Sequence, residues 1–500
     1  MTRHSAKVNA QYDAVVVGAG FGGMGAAIQL NRLGYDNLLI LERESDLGGT
    51  WHVNRYPGLA VDIPSATYSY SFEPNPHWSR LFAPGAELKR YAEHVADKYR
   101  LRRYMRFGSV VTGAVWDETN AHWTVSLADG GPVTAKYLLT ATGFLSQPKK
   151  PDIAGIGTFG GKVIHTTAWD DEYDLDGKRV AVIGTGATAV QLIPEIAKVA
   201  RELTVYQRTP IWVSPKLDFP VPKAVRRAFA AVPLTQRAAR LTGTALLELM
   251  MVSGVLHYKQ LPMANRLGKL WCQAHLRRQV RDPRLRAELT PRYSFGCKRP
   301  TFSNEYYPAF TKDHVHLETT SIAKIDETGI ETADGGRRDI DVLVLATGFD
   351  LWEANFPAIE IIGRDGRNLG KWWRENRFQA YAGVAVPKFP NFISLNSPYS
   401  YSGLSYFTTI ETQMRHMDRL FGAMRRRGAT EFEVTQEAND AFLDRMTERL
   451  GDSIFTLGNC APANSYYFNP HGEATLLRPS STLNAIKEAG SFPLEDYTFA

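Results

Sequence analysis

The sequence predicts an α/β protein in which one strand–turn–helix–strand unit occurs twice. An apolar run enters a glycine-rich turn at Gly18, and another does so at Gly184. A charged residue follows each of these glycines after 24 positions, Glu42 in the first unit and Arg208 in the second. Arginine-rich amphipathic runs then occupy about 214–290. The predicted fold class is therefore α/β, with two Rossmann-like dinucleotide-binding domains and a helical insertion.

The first unit begins with an apolar strand at Tyr12–Val17. It is followed by the turn Gly18-Ala19-Gly20-Phe21-Gly22-Gly23 and by a helix-forming run. Glycines such as Gly18, Gly20 and Gly23 let the backbone approach a pyrophosphate, which the helix N-terminus then holds. A second strand ends at Glu42, whose carboxylate can accept hydrogen bonds from both ribose hydroxyls. This unit predicts a dinucleotide site of the kind that suits the adenosine ribose of FAD.

The second unit repeats this pattern with the opposite charge. A strand leads into Gly184-Thr185-Gly186, and the following strand ends at Gln207-Arg208-Thr209. A guanidinium cannot accept from ribose hydroxyls but suits the 2′-phosphate of NADPH. We therefore expect Gly184, Gly186, Arg208 and Thr209 to bind NADPH. The alternative is that Arg208 only caps a helix.

A loop rich in glycine and aromatic residues runs from Gly48 to Asp62. Its composition predicts irregular structure rather than a helix. Trp51 and Tyr56 can flank a planar ring, with the Asp62 carboxylate beside it. The alternative is an aromatic-packed loop with a solvated aspartate.

Between the two units lies a stretch with Phe159, Gly161, His165 and Trp169. The last three recur every four residues without a wider apolar face, which predicts a fixed turn rather than a helix or strand. A structural histidine beside a packed tryptophan is the alternative. However, the order Phe-x-Gly-x-x-x-His-x-x-x-Trp-Asp resembles the fingerprint of the type I Baeyer–Villiger monooxygenases. The loop Gly48 to Asp62 resembles a second signature of that family, GGxWxxxxYPGxxxD.

The resemblance implies an NADPH- and FAD-dependent monooxygenase that converts ketones to esters or lactones with O₂ through a C4a-peroxyflavin. The adjacent cations Lys298 and Arg299 lie in a Gly/Pro-bounded loop, and charge alone leaves them as surface residues. The family likeness assigns Arg299 to stabilising the peroxyanion and Asp62 to positioning that guanidinium. It also assigns Lys298, together with Arg208 and Thr209, to holding NADP⁺. Cys297 departs from the small polar residue expected there.

Two Ala-Thr-Gly turns after apolar strands, at Ala141 and Ala346, predict two crossovers between domains. The expected boundaries are 1–147 for the first part of the FAD-binding domain, 148–350 for the NADP-binding domain with its insertion, and 351–500 for the second part of the FAD-binding domain. Within the last part, Tyr399 to Leu404 carries extra bulk that we expect to shape the substrate pocket.

The composition is that of an ordinary globular protein, with 44% hydrophobic and 22% charged residues and a net charge of +6. Such a charge can indicate nucleic acid or a membrane surface, but we expect a solvated helical face that also attracts an anionic cofactor. The apolar run Thr244 to Leu256 is shorter than the roughly 18 residues of a membrane helix. We expect it to be a buried helix, with no transmembrane segment and no nucleic-acid partner.

The three cysteines are far apart and odd in number, so neither a disulfide framework nor a metal site is predicted. They are Cys272, Cys297 and Cys460. Met1 to Gln11 contains no apolar core of a secretory signal. Both observations favour the cytoplasm.

Three other functions compete with the ketone reaction. N- or S-oxygenating flavin monooxygenases share both nucleotide turns, and Asp341 to Phe349 has some likeness to a motif of N-hydroxylases, but they usually carry Tyr where this chain has Trp169. A pyridine-nucleotide disulfide reductase needs a Cys-x-x-Cys pair, which the sequence lacks. A non-catalytic dinucleotide-binding sensor is the third. Neither the ketone nor the oligomeric state follows from the sequence.

Overall fold

The computed structural model describes residues 10–401 and 403–500, without the side chains of residues 250 and 251. Most of the N-terminal stretch considered for a secretory signal, residues 1–9, and Ser402 in the pocket segment lie outside the described residues. The α-helices are Phe21–Arg32, Thr50–Val53, Gly85–Lys98, Ala187–Val199, Lys223–Ala231, Pro233–Leu247, Gly254–Leu256, Pro262–Gln279, Pro283–Glu288, Tyr306–Ala309, Leu369–Asn376, Tyr406–Arg427, Gln436–Leu450, Ile454–Leu457 and Thr482–Ser491.

The larger sheet has eight strands and is built from both ends of the chain. Its central strand Tyr12–Val17 runs parallel to both of its neighbours, as expected where helices cover a sheet. Phe392–Ser394 pairs with Val133–Thr140, so the chain returns to this sheet after leaving it. In spatial order the path is Glu360–Ile362, Val111–Asp117, His122–Leu127, Val133–Thr140, Tyr12–Val17, Leu38–Leu41 and Met105–Arg106.

The second sheet has five strands, all parallel. In sequence, these strands all fall between the two chain segments that build the first sheet. Its order is Val315–Glu318, Glu202–Tyr206, Arg179–Ile183, Val342–Leu345 and Lys162–His165. Smaller sheets pair Val213–Ser214 with Thr301–Phe302, Ile322–Ile325 with Gly329–Thr332 and Arg337–Asp339, and Phe432–Val434 with Tyr497–Phe499. The larger sheet is mixed, because His122–Leu127 runs antiparallel to both of its neighbours. One mixed and one parallel sheet with crossover helices confirm the predicted α/β class, whereas the domain boundaries stay a prediction.

The structure corrects three local expectations. Lys162–His165, predicted as part of a turn, is the edge strand of the second sheet and pairs with Val342–Leu345. The loop after Gly49 contains a single helical turn, Thr50–Val53. The run Thr244 to Leu256 is buried at Val252, Val255 and Leu256, whereas Leu246 and Leu249 are exposed.

Among the described residues, no helix is both long enough and apolar enough to cross a bilayer.

Candidate active site

The two glycine turns have nearly the same backbone. The φ angle is +107° at Gly18 and +116° at Gly184, which an L side chain rarely adopts. A Cβ atom at Gly18 would lie 2.5 Å from the carbonyl oxygen of Ala141, and one at Gly184 would lie 2.4 Å from that of Ala346. Each turn therefore packs directly on one of the two Ala-Thr-Gly crossovers.

Both turns lead into helix N-termini that present backbone N–H groups. Helix Phe21–Arg32 begins after Gly20 and helix Ala187–Val199 begins after Gly186, with closely similar backbone angles. Within the described part of the chain, neither start has a side-chain cap or an acidic residue in its first turn. Gly23 cannot be replaced, because its Cβ would lie 1.9 Å from the Gly18 oxygen. Each N-terminus thus offers donors and a positive dipole end to an anion.

Glu42 lies buried at the end of strand Leu38–Leu41. One carboxylate oxygen accepts from the backbone N–H of Ala19 at 2.7 Å, and the other accepts from that of Glu44 at 3.0 Å. These bonds fix the carboxylate beside the first glycine turn. Each oxygen keeps a further lone pair, which can accept a ribose hydroxyl.

Arg208 and Lys298 come together although they are distant in sequence. Burial, and after it the nearby charge of Arg208, lower the pKa of Lys298 to about 8. Among the described residues, no carboxylate forms an ion pair with either side chain. Arg208 follows strand Glu202–Tyr206, and with Lys298 beside it the two cations could hold a doubly charged anion.

Thr209 connects the second glycine turn with the C-terminal part of the chain. Its carbonyl accepts from the Thr185 hydroxyl at 2.7 Å, and its own hydroxyl accepts from the Asn464 amide at 2.9 Å. No local sequence pattern predicts Asn464 here, because the contact spans 255 positions.

The centre of the site is the pair Arg299 and Asp62. Arg299 Nε donates to the Asp62 carboxylate at 2.9 Å, and Arg299 Nη1 donates to the Tyr401 hydroxyl at 2.8 Å. The Tyr401 hydroxyl in turn donates to the Leu404 carbonyl at 3.2 Å. Burial is the largest single influence and disfavours the charged guanidinium. Asp62, together with the neighbouring tyrosines, more than offsets it, so the pKa of Arg299 lies well above its usual value. The side chain, 15% exposed, is a permanent cation with a fixed direction.

Aromatic residues surround this pair. Tyr401, Tyr466 and Tyr467 lie close enough to Arg299 to interact with its charge. Phe144, in the first crossover, lies 5.4 Å from the Tyr401 ring, centroid to centroid. The bulk predicted for the Tyr399 to Leu404 segment is therefore located beside Arg299, whereas no sequence pattern indicated Tyr466 or Tyr467.

The Gly48 to Asp62 loop contacts both units. Trp51 donates from its indole nitrogen to the Tyr68 hydroxyl at 3.3 Å. Tyr56, expected to flank a planar ring, instead packs in the core of the second sheet and donates to Gln191 at 3.1 Å. A buried phenol finds its partner in the neighbouring helix Ala187–Val199, which sequence patterns within the loop cannot show.

The stretch between the units places its four predicted residues around the second sheet. Phe159 and Trp169 are buried in cores, and a Cβ at Gly161 would lie 2.5 Å from the Asp341 oxygen. His165 ends the edge strand, where its Nδ1 accepts from the Thr167 backbone N–H at 3.2 Å. Its Nε2 is buried and has no partner in the described part of the chain. Burial lowers the pKa of His165, so the imidazole is neutral at pH 7.

Cys297, directly before Lys298, forms a disulfide with Cys460. Their Cα atoms lie 5.2 Å apart, although 163 positions separate them in sequence. The expectation that the cysteines are unpaired is therefore wrong, because sequence distance does not limit distance in a folded chain. Cys272 is free and buried.

A family model described as pyridine nucleotide-disulphide oxidoreductase matches residues 12–235. That span contains no cysteine, so the match reports the nucleotide-binding fold and not a redox disulfide. A Baeyer–Villiger monooxygenase of Streptomyces coelicolor is 36% identical, and the alignment covers 99% of this chain and 94% of that one.

The chain belongs to the Baeyer–Villiger monooxygenases. A second member of the family, from Pseudomonas aeruginosa, is 37% identical over 91% of this chain and 85% of its own. Among solved structures, an oxidized steroid monooxygenase bound to NADP superposes with a TM-score of 0.87 at 31% identity, covering 98% of this chain and 99% of that one. OTEMO, in complex with FAD and NADP, gives 0.86 at 29% identity, covering 99% and 100%. The resemblance noted in the two fingerprints is confirmed.

Proposed function

We propose that this protein is an FAD- and NADPH-dependent Baeyer–Villiger monooxygenase that converts a ketone and O₂ into an ester or lactone. The single observation that carries the proposal is the Arg299 cation, held by Asp62 at 2.9 Å and Tyr401 at 2.8 Å between three separate segments. A fixed, poorly hydrated cation stabilises negative charge that develops on oxygen during such a reaction.

The residues present fit FAD at the first unit. The Gly18 turn is free of side chains, its helix has no side-chain cap among the described residues, and Glu42 is fixed with lone pairs to spare. They fit NADPH at the second unit, where Arg208 and Lys298 lie together without a carboxylate partner among those residues. When bound, NADPH supplies a hydride and the flavin activates O₂ towards a carbonyl carbon, which no amino-acid side chain can do.

The protein's own residues then have separate roles. Arg299 provides positive charge at the reacting end, and Asp62 fixes the direction of the guanidinium through Nε. Arg208, Thr209 and Lys298 hold the nicotinamide cofactor by its 2′-phosphate end. Trp51 belongs to the wall of the flavin site.

We add Tyr401 as a positioning residue. Its hydroxyl accepts from Arg299 and donates to Leu404, so both of its bonds resist rotation of the guanidinium. A geometry fixed before the reaction avoids the cost of reorientation during it. Asp62 and Tyr401 thus hold two different nitrogens of the same cation.

We also propose a cytoplasmic location, where NADPH is produced. The Cys297–Cys460 disulfide removes the argument from unpaired cysteines. The proposal of a cytoplasmic location rests instead on the need of the enzyme for NADPH.

The test is product analysis of purified protein with NADPH and ¹⁸O₂. Cyclic, linear, aryl and steroid ketones are offered, together with a thioether and a tertiary amine as substrates for the alternative N- or S-oxygenation. The proposal requires an ester or lactone that carries one ¹⁸O atom. Formation of sulfoxide or amine oxide with no ester from any ketone would favour the alternative, and protein that binds no flavin would exclude both.

A further inference from the structure

The helical insertion has its apolar face outward, which is the reverse of an ordinary surface helix. In Pro233–Leu247 the side chains Leu234 and Leu241 stand two turns apart and point to solvent, and Leu249 continues the row. In Pro262–Gln279 the outward row contains Met263, Leu267 and Trp271. These six side chains are 58–70% exposed.

The inward face of the first of these helices is polar. Gln236 is buried and donates to the Asn75 carbonyl at 2.7 Å, and Arg240 donates to the Ser69 carbonyl at 2.7 Å. Gln236 lies two positions from Leu234, and thus on nearly the opposite side of the helix. The helix packs on the rest of the protein through its polar side. The leucine row is therefore not buried within this molecule, and its apolar character has no explanation in the packing of the helix.

The insertion also carries the positive charge of the protein. Residues 215–290 contain 14 Lys and Arg but four Asp and Glu, a net charge of +10, whereas the whole chain has +6. The rest of the chain is therefore net negative. Exposed cations border the apolar rows: Arg237 lies three positions from Leu234, and Arg266 lies three positions from Met263. Among the described residues, neither of them forms an ion pair with a carboxylate.

The acidic residues of the insertion are all engaged elsewhere. Glu248 accepts from the Thr482 backbone and hydroxyl, and Asp218 pairs with Arg80. Asp282 caps helix Pro283–Glu288, and Glu288 pairs with Arg284. The outward surface is thus apolar with a cationic border.

We propose that the surface formed by these six apolar side chains, from Leu234 to Trp271, binds the interface of an anionic lipid bilayer. The apolar rows enter the boundary between headgroups and acyl chains while the flanking cations contact lipid phosphates. An exposed tryptophan among them is typical of that boundary. A second copy of the chain fits the surface poorly, because two insertions of charge +10 would face each other.

The test is flotation of the flavin-loaded protein with vesicles of phosphatidylcholine alone or enriched in phosphatidylglycerol. The protein floats with the anionic vesicles at low salt and is released at high salt, since salt screens charge. Leu241→Glu and Leu267→Glu each lower the partition coefficient by at least about tenfold, as expected when a leucine leaves an apolar layer. Arg266→Gln lowers it roughly fivefold.

The matched control is Leu483→Glu, an exposed leucine (78%) outside the insertion, which leaves binding unchanged. Flavin absorbance and NADPH oxidation show that each variant is folded. Absence of flotation, or equal binding to both vesicle types at all salt concentrations, would overturn the proposal. So would self-association in analytical ultracentrifugation that Leu241→Glu abolishes, because the surface would then cover a second copy.

Discussion

At the scale of single residues, the charge of Lys298 gives the prediction that is easiest to test. Its pKa is lowered to about 8, by burial first and by Arg208 second. The ammonium is therefore charged below about pH 8 and loses its proton above it. A phosphate bound beside it favours the charged form and raises the pKa in the complex.

NADPH affinity should consequently fall as the pH rises above about 8. The slope should approach ~tenfold per pH unit until the pKa of the complex is reached, because binding then requires uptake of a proton. NADH lacks the 2′-phosphate and should bind with little dependence on pH in this range. Fluorescence titration of both nucleotides across this range measures the difference.

Two variants separate Lys298 from other titrating groups. Lys298→Met should remove the pH dependence, and Arg208→Ala should shift it to higher pH because a neighbouring cation is lost. An unchanged profile in Lys298→Met would show that another group is responsible.

A second prediction at this scale concerns Tyr401. Tyr401→Phe keeps the ring but removes the acceptor of Arg299 Nη1, a bond to a charged group worth about 1.5–3 kcal/mol. Ester formation should fall roughly tenfold or more, while flavin reduction by NADPH changes little. The ratio of ester formed to NADPH consumed should therefore fall, with hydrogen peroxide as the balance.

Tyr399→Phe is the matched control, since Tyr399 is buried in the same segment and none of its described hydrogen bonds involves Arg299. A purely structural role for Tyr401 would lower the amount of folded protein and leave the ester-to-NADPH ratio at its wild-type value. That outcome would remove Tyr401 from the positioning of Arg299.

At the scale of elements, the two crossovers between the sheets run side by side. Lys149 donates its backbone N–H to the Gly348 carbonyl at 2.9 Å, and Asp350 donates to the Gln147 carbonyl at 2.8 Å. Gly143 and Gly348 have φ angles of +70° and +77°. Strand Lys162–His165 ends next to Val342–Leu345, which leads into the second crossover.

His165→Ala should therefore impair communication between the nucleotide sites without loss of FAD. The side chain lies at the end of the second sheet, next to the Lys149 backbone in the first crossover. We expect fewer esters per NADPH and normal flavin content, measured by absorbance and product analysis. Val163→Ala, at an exposed position (42%) of the same strand, should change neither. Loss of flavin in His165→Ala would identify the strand as a folding element of the whole protein.

These elements also show what the sequence can and cannot predict. The turns at Gly18 and Gly184 were predictable because phosphate binding demands glycine at fixed local spacing. The strand Lys162–His165 was not, since it is stabilised by pairing with Val342–Leu345 far along the chain. Likewise, Arg299 and Asp62 were assigned by family likeness, whereas the bond from Arg299 to Tyr401 spans 102 positions and has no local pattern.

At the scale of the whole molecule, Arg299 lies where three parts of the chain meet. Asp62 comes from the first unit, Arg299 follows the insertion in the second, and Tyr401 comes from the C-terminal part that returns to the first sheet. The cation is thus positioned only when both cofactor units are assembled. We propose that this arrangement couples the nucleotide sites to the oxygenation chemistry.

The most direct test of the proposed role of Arg299 is stopped-flow kinetics of the Arg299→Ala enzyme, paired with quantification of the ester. The substitution leaves both glycine turns intact, so the rate of flavin reduction by NADPH should stay within a few-fold of the wild type. Ester formation should fall by roughly two to three orders of magnitude, as for loss of a preorganised electrostatic donor. The electrons should appear as hydrogen peroxide or remain on reduced flavin. An Arg299→Ala enzyme that forms ester at nearly the wild-type rate would contradict the account.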